Sequence, residues 1–184
     1  EDLLRPPPEF HSVAVDATHM TAASQGRKPL VHVLIVGETA RASSFRLDGY
    51  ALNTNPELGL RNDVQFLEMR TCGTATAVSL PCMFSIQKHN GFDRVASRRE
   101  DNLLDVAKRS GFDVIWIDNG KGCKGIGSRV TNRDVHASSA DTICPNNICY
   151  DEILVEELRR ILDSVTGDTL IVLHELGSHG PAYF

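Results

Sequence analysis

The chain has 184 residues, 41% hydrophobic and 23% charged, which is ordinary for one globular domain with a sizeable core. Its 19 basic and 24 acidic residues leave a net charge of −5, which gives no support for nucleic-acid binding and little for adhesion to anionic lipid. No apolar run approaches the roughly 20 residues of a membrane span, and the first residues lack an initiator Met and signal-peptide features. We therefore expect a segment of a longer chain.

Residues 1–28 have the composition of a linker. Three consecutive prolines begin at Pro6, and a run of small and polar residues extends from Thr21 to Arg27. Such residues supply little material for a core. We expect the globular part to begin near Pro29 and to comprise residues 29–184.

Apolar runs in the globular part predict strands, and two amphipathic runs predict helices. The predicted strands are Leu30–Val36, Val64–Met69, Asp113–Ile117 and Thr169–Leu173, and the predicted helices are Asn102–Ser110 and Asp151–Val165. Helices that alternate with fully apolar strands predict an α/β fold with a mostly parallel sheet.

Three of these predicted strands are followed by residues that could bind a ligand. In parallel sheets, sites lie just beyond the carboxyl ends of the strands. Glu38 follows the first strand, Asp118 follows the third, and the loop from His174 to Gly180 follows the last. The coincidence of these loops predicts a site at this edge of the sheet.

Glu38 and a hydroxyl group in the Cys72–Cys82 segment are the first candidate residues. A carboxylate directly after a buried strand suits a divalent metal ion, although it also suits the start of a helix. The segment could open a helix, where a hydroxyl could serve as a metal-activated nucleophile on phosphate or simply cap the helix. Thr74, Thr76 and Ser79 are equivalent in this respect.

Lys124 and His179 are the next candidates. Lys124 lies in the glycine-rich run Gly122–Gly125, which suits a phosphate partner but equally suits a solvated loop. His179 lies on a glycine-containing loop and could be a general acid or base, a hydrogen-bond donor to phosphate, or a turn residue. We interpret the neighbouring His174 as a packing residue at the end of its strand.

The five cysteines form two pairs that are close in sequence, with one left over. Neither pair has the close spacing that structural zinc sites use. Short loops of this kind suit disulfides in an oxidising compartment, and the alternative is free, buried thiols. Spacing alone does not determine the connectivity.

Four sequence blocks, in the same order, resemble those of the lipid A phosphoethanolamine transferase family, which includes the mobile colistin-resistance enzymes. The resemblance extends from about Pro29 to the last residue. The four blocks are Gly37–Arg41, Cys72–Ser85, Gly122–Gly125 and Gly177–Phe184.

This resemblance implies an alkaline-phosphatase or sulfatase-like α/β fold, with a central sheet flanked by helices. It places the catalytic domain at the periplasmic face of the bacterial inner membrane, behind a transmembrane domain. Residues 1–28 would be the linker after that domain, and residues 29–184 the N-terminal portion of the catalytic domain. Phosphatidylethanolamine would be the donor and a lipid A phosphate the acceptor.

The resemblance also implies roles for individual residues. Thr76 would be the nucleophile that carries phosphoethanolamine covalently, and Glu38 and Thr76 would be ligands of a zinc ion. Lys124 and His179 would hold the phosphoethanolamine group. Disulfides would join Cys72 to Cys82 and Cys144 to Cys149, and Cys123 would be free.

The sequence departs from the family pattern in one block. The remaining zinc ligands of the family are an Asp-His pair at a later strand end, and no Asp-His pair occurs in these 184 residues. We therefore expect a domain that is incomplete at its C-terminus, with an unpaired sheet edge, and a fragment that by itself binds zinc weakly and is inactive. Two alternatives stay open: a phosphatase or sulfatase of the same superfamily, and a truncated domain that binds a phosphate-bearing ligand without turnover.

Overall fold

The structure, a computed structural model, describes residues 9–120, 122–135, 143–144, 148–177 and 179. The strands are β1 Val31–Val36, β2 Asp113–Asp118, β3 Thr131–Asp134 and β4 Thr169–His174. The helices are α1 Ala22–Gln25, α2 Pro56–Gly59, α3 Thr76–Phe84, α4 Arg94–Ser97, α5 Leu103–Ser110 and α6 Glu152–Leu162. None of the helices in these ranges is long and apolar enough to cross a membrane.

The strands form a parallel sheet in the order β1-β4-β2-β3. The last residue of β4, His174, pairs in register with Val36 on one side and with Asp118 on the other. The carboxyl ends of three strands therefore lie side by side, as the predicted site requires. The predicted parallel α/β sheet is confirmed.

The apolar core lies in two layers, one on each face of the sheet. On one face, Phe84 of α3 and Leu104 of α5 belong to the same buried cluster as Trp116. On the other face, Leu154 of α6 belongs to a second cluster with Ile171 of β4. Because side chains alternate between the faces of a strand, the sheet separates the two clusters. Helices therefore flank the sheet on both sides.

Helix α5 begins and ends as its sequence predicts. The Asn102 side chain accepts a hydrogen bond from the amide of Leu104 at 2.8 Å, and the Asp105 carboxylate accepts one from the amide of Asn102 at 2.8 Å. This capping box satisfies two amides at the start of the helix. Gly111, with φ of +108°, ends the helix in the left-handed conformation that glycine adopts most easily.

Two strands differ from the sequence-based expectation. Val64–Met69 is not a strand in the structure, and Leu67 and Met69 are exposed. Its apolar residues suit a pleated strand, but strand formation also depends on pairing with a neighbour. Conversely, β3 consists of four exposed polar residues that no apolar pattern marks, and it forms by pairing with β2 at the edge of the sheet.

Part of the predicted linker contacts the domain. Ala22 is buried, and His19 and Arg27 both hydrogen-bond the buried carboxylate of Asp168, which lies just before β4. The segment from residue 19 to residue 30 is therefore attached to the amino edge of the sheet. Its role as the connection to a membrane domain stays a prediction.

Candidate functional site

Thr76 and Glu38 meet at the carboxyl edge of the sheet. Glu38 lies two residues after the end of β1, and Thr76 is the first residue of α3. The Thr76 hydroxyl donates a hydrogen bond to Oε2 of Glu38 at 2.7 Å. Two residues that are 38 positions apart in sequence are thus in direct contact, as both predicted roles require.

The local structure of α3 distinguishes Thr76 from the other hydroxyl residues of its segment. The N-cap position of the helix is occupied by Ala75, so Thr76 lies inside the first turn and its hydroxyl does not cap the helix. Thr74 lines the same cavity, whereas Ser79 does not. Among the three hydroxyl groups, the structure therefore singles out Thr76 as the partner of Glu38.

The predicted disulfides are confirmed. Cys72 is bonded to Cys82, which ties the segment before α3 to the last turn of that helix. Cys144 is bonded to Cys149, and Cys123 carries a free thiol. The first disulfide closes a short loop around Thr76 and restrains the position of its backbone.

Glu38, Thr76, Lys124 and His179 all line one open cavity of about 370 Å³. Lys124 occupies the left-handed region, with φ of +51°, in the loop between β2 and β3. The structure thus brings together all four residues that were predicted from three strand-end loops and one helix. Their individual roles stay predictions.

The surroundings of Glu38 favour its ionised form. Burial raises the pKa of Glu38, but hydrogen bonds from Thr76 and Thr39 and the electrostatic influence of His179 and His174 lower it, and the pKa lies below its ordinary value. The Thr39 hydroxyl donates to Oε1 at 2.9 Å while Thr76 donates to Oε2. With one donor on each oxygen, the carboxylate has a fixed orientation toward Thr76.

A buried pair beside the cavity, Asp118 and His174, went unrecognised in the sequence. Nδ1 of His174 lies 3.1 Å from Oδ2 of Asp118, which also accepts a hydrogen bond from Nε1 of Trp116 at 2.9 Å. Burial raises the pKa of Asp118. The hydrogen bonds from His174, Trp116 and the amide of Gly122 lower it by a greater amount, so the pKa lies below its ordinary value. An ionised carboxylate only accepts hydrogen bonds, so Nδ1 of His174 carries a proton. His174 is thus a packed residue, as predicted, that also lines the cavity.

The loop that carries His179 is anchored by Asp151, which precedes α6. Its carboxylate accepts hydrogen bonds from the amides of Leu176 and Gly177, both at 2.8 Å, and from the Asn119 side chain at 2.7 Å. Asp151 therefore fixes the loops after β2 and β4 to each other. The sequence pattern marked it only as the start of a helix.

Glu175 is a second carboxylate in the cavity lining that was not singled out from the sequence. Burial raises the pKa of Glu175, and the nearby Asp151 carboxylate raises it further, against a smaller opposing influence of His174. Glu175 therefore holds a proton to a higher pH than an exposed glutamate does. The pKa values of Glu175 and Glu38, which line the same cavity, are thus shifted in opposite directions.

The residues of the cavity fit part of a zinc site. The carboxylate of Glu38 and the hydroxyl of Thr76 are oxygen donors that zinc accepts, and their contact places both beside one point in space. No group of three or more His, Cys, Asp and Glu side chains in the described ranges is arranged to hold a metal ion. These ranges thus contribute two of the roughly four ligands of a tetrahedral site, and zinc stays a prediction.

Several known proteins of related sequence are named phosphoethanolamine transferases. The sulfatase family model matches residues 31–184. The phosphoethanolamine transferase EptA of Escherichia coli (strain K12) is 44% identical over 161 residues, which cover 88% of this chain and 29% of that protein. The phosphatidylethanolamine transferase Mcr-1 of Escherichia coli is 36% identical over 179 residues, or 93% of this chain and 33% of that protein. The chain thus spans about a third of the length of these relatives.

Solved structures show the same likeness. The crystal structure of the soluble domain of lipooligosaccharide phosphoethanolamine transferase A from Neisseria meningitidis matches with a TM-score of 0.88 and 38% identity, covering 96% of this chain and 53% of that one. The C-terminal periplasmic domain of EcEptC from Escherichia coli, described as a complex with Zn, matches with a TM-score of 0.66 and 20% identity, covering 95% of this chain and 49% of that one. At that identity the second match shows similarity of fold alone.

Proposed function

We propose that this chain, which belongs to the sulfatase family and has the α/β fold of that family, provides the nucleophile of a phosphoethanolamine transferase. The protein would move phosphoethanolamine from phosphatidylethanolamine to a phosphate of lipid A. The observation that carries this proposal is the hydrogen bond from Thr76 to Glu38 in a cavity that Lys124 and His179 also line. The names of the relatives support the donor and the transferred group.

In the first half of the reaction, Thr76 attacks the phosphorus of the donor. A bond forms between Oγ1 and phosphorus, the bond from phosphorus to the glycerol oxygen breaks, and diacylglycerol leaves with the electron pair and a proton. Phosphoryl transfer requires mainly positioning and neutralisation of charge. Glu38 orients the attacking oxygen, Lys124 offers positive charge to the non-bridging oxygens, and His179 offers them a hydrogen bond.

In the second half, a lipid A phosphate takes the group from Thr76. An acceptor oxygen attacks the same phosphorus, the bond to Oγ1 breaks, and Thr76 recovers its hydroxyl with the proton that the acceptor releases. A covalent intermediate lets one site handle two lipid substrates in succession. The position of Thr76 in an open cavity supports this order, because the modified side chain stays accessible to the acceptor.

Glu38 and Thr76 would be two of the ligands of a zinc ion. Zinc would lower the pKa of the threonine hydroxyl and offset charge on the phosphate. The protein would act at the periplasmic face of the inner membrane. The disulfides support that location, since an oxidising compartment lets them persist.

The decisive experiment replaces the nucleophile in the complete protein. We expect Thr76→Ala to reduce transfer of phosphoethanolamine to lipid A by at least roughly a thousandfold, because no other hydroxyl takes its place. Thr74→Ala, which removes a neighbouring hydroxyl from the same cavity, should retain transfer within a few-fold. Mass spectrometry of lipid A measures the product, and that of the protein detects phosphoethanolamine on Thr76.

Two outcomes would contradict the proposal. Lipid A that is still modified by the Thr76→Ala protein would exclude Thr76 as the nucleophile. Release of ethanolamine phosphate to water, with no labelling of lipid A by the unmodified protein, would instead favour a hydrolase of the same superfamily.

A further inference from the structure

A second cavity, of about 340 Å³, adjoins the proposed active site. Lys124 lines both cavities, and Pro81 of α3 brings the helix that begins with Thr76 into the second wall. The other lining residues come from the end of α4, from the segment between α4 and α5, and from the loop after Lys124. Its volume lies within the range of about 300–1,000 Å³ that is common for small-molecule sites.

The charge of this cavity is positive. Arg98, Lys124 and Arg129 contribute to the lining, which contains no carboxylate among the described residues. Arg129 is paired with Asp105 outside the cavity. Arg98 is exposed, and its side chain makes no hydrogen bond or ion pair with the part of the chain that the structure describes. The cavity therefore presents a guanidinium, that of Arg98, with no anionic partner among the described residues.

The walls of the cavity are held in place by hydrogen bonds that do not occupy it. The Asn102 side chain donates to the carbonyl oxygen of Ile126 at 3.1 Å, and Nε of Arg129 donates to Oδ1 of Asp105 at 2.7 Å. These contacts join the loop after Lys124 to the start of α5. A binding site with fixed walls loses less conformational entropy when a ligand binds than a mobile loop does.

We propose that this second cavity binds the phosphate monoester of the acceptor, with Arg98 as the residue that recognises the anion. The proposal rests on the proposed transferase function and specifies where its second substrate lies. Arginine is well suited to this role because its planar guanidinium donates two parallel hydrogen bonds to phosphate. The rest of the cavity, whose total volume is about 340 Å³, would take the sugar that carries the phosphate.

The arrangement gives Lys124 a place between the two substrates. The acceptor oxygen would attack the phosphorus on Thr76 from the second cavity, and the electron pair of the broken bond would return to Oγ1. Both phosphates are anionic at that moment, and a cation that lines both cavities reduces their mutual repulsion. Arg98 would hold the acceptor without contacting the transferred group.

The test measures binding of glucosamine 1-phosphate to the complete protein by isothermal titration calorimetry. We expect Arg98→Gln to weaken binding about tenfold, the loss expected for one charge-assisted contact. Arg99→Gln, which changes an adjacent arginine that does not line the cavity, should leave binding unchanged. Inorganic phosphate should bind more weakly than the sugar phosphate to the unmodified protein.

Three results would overturn the acceptor site: equal affinity in the unmodified and Arg98→Gln proteins, equal weakening by both substitutions, or inorganic phosphate that binds as tightly as the sugar phosphate. Labelling of Thr76 by phosphatidylethanolamine, measured in the same samples by mass spectrometry, tests the proposed function separately. A protein that binds glucosamine 1-phosphate but is not labelled at Thr76 would overturn the transferase proposal and retain the anion site.

Discussion

Gly177 lies against the backbone that carries Glu38. A Cβ atom at Gly177 would be 2.7 Å from the carbonyl oxygen of Glu38, closer than real Cβ contacts allow, and its φ is +53°. The amide of Gly177 donates a hydrogen bond to the carboxylate of Asp151, which restrains Gly177 from moving away from Glu38. The loop after β4 and the loop after β1 are thus packed backbone to backbone at the site.

We therefore expect Gly177→Ala to displace Glu38 and to reduce transfer on the order of a hundredfold, as small misplacements of catalytic groups do. Transfer to lipid A measures the effect. Gly49→Ala is the matched control, because Gly49 also has a positive φ, of +90°, but nothing lies within 4 Å of an added Cβ. That variant should lose only about 1 kcal/mol of stability and no activity. Equal activity losses in the two variants would show that backbone strain, and not displacement of Glu38, is responsible.

The sequence indicates which loops carry the site but not every contact within it. Glu38, Lys124 and His179 follow predicted strands, and the strand-end rule is sufficient to place them at one edge. Thr76 cannot be separated from Thr74 by the same reasoning, because the difference is a contact with Glu38 across 38 positions. The pairing of Asp118 with His174 likewise depends on the register of two strands.

Helix α3 connects the core to the nucleophile. Its last residue, Phe84, is 1% exposed and packs against the Trp116 ring at 5.7 Å between centroids, whereas the preceding Met83 is 58% exposed. We expect Phe84→Ala to lower the free energy of unfolding by about 3–5 kcal/mol, because it removes an aromatic ring from a packed core. Met83→Ala should change it by no more than about 0.5 kcal/mol. Urea denaturation of both variants measures the difference, and similar values would show that the end of α3 is not packed as described.

Among the elements, those with apolar periodicity are predicted well and those that depend on a neighbour are not. β1, β2, β4, α5 and α6 occur within a few residues of their predicted bounds, because their burial follows from their own sequence. β3 has no apolar residue and exists only because its backbone pairs with β2. Val64–Met69 has the apolar residues of a strand but does not pair in the structure.

Asp168 joins the segment before β1 to the amino edge of the sheet. Its carboxylate accepts hydrogen bonds from Arg27 at 2.9 and 2.7 Å and from the amides of Ala22 and Leu30 at 2.9 and 2.7 Å. These contacts hold the pKa of Asp168 well below its ordinary value, with the largest contribution from the guanidinium of Arg27 and the next largest from the amide of Leu30. One buried carboxylate thus attaches residues that composition alone assigns to a linker.

The sign of the resulting pH dependence follows from this depressed pKa. Above about pH 4 the carboxylate of Asp168 is ionised in both the folded and the unfolded chain, and its partners stabilise the fold fully. As the pH falls below this value, the unfolded chain binds the proton first, and the stabilisation is lost. We expect Asp168→Asn to have a lower urea midpoint than the unmodified chain at pH 7, and this difference to shrink between pH 4 and pH 2. Asp63→Asn is the control, since Asp63 pairs with Arg61 but is 67% exposed, and such surface pairs contribute little. A difference for Asp168→Asn that does not change with pH would show that its ionised carboxylate does not hold the segment.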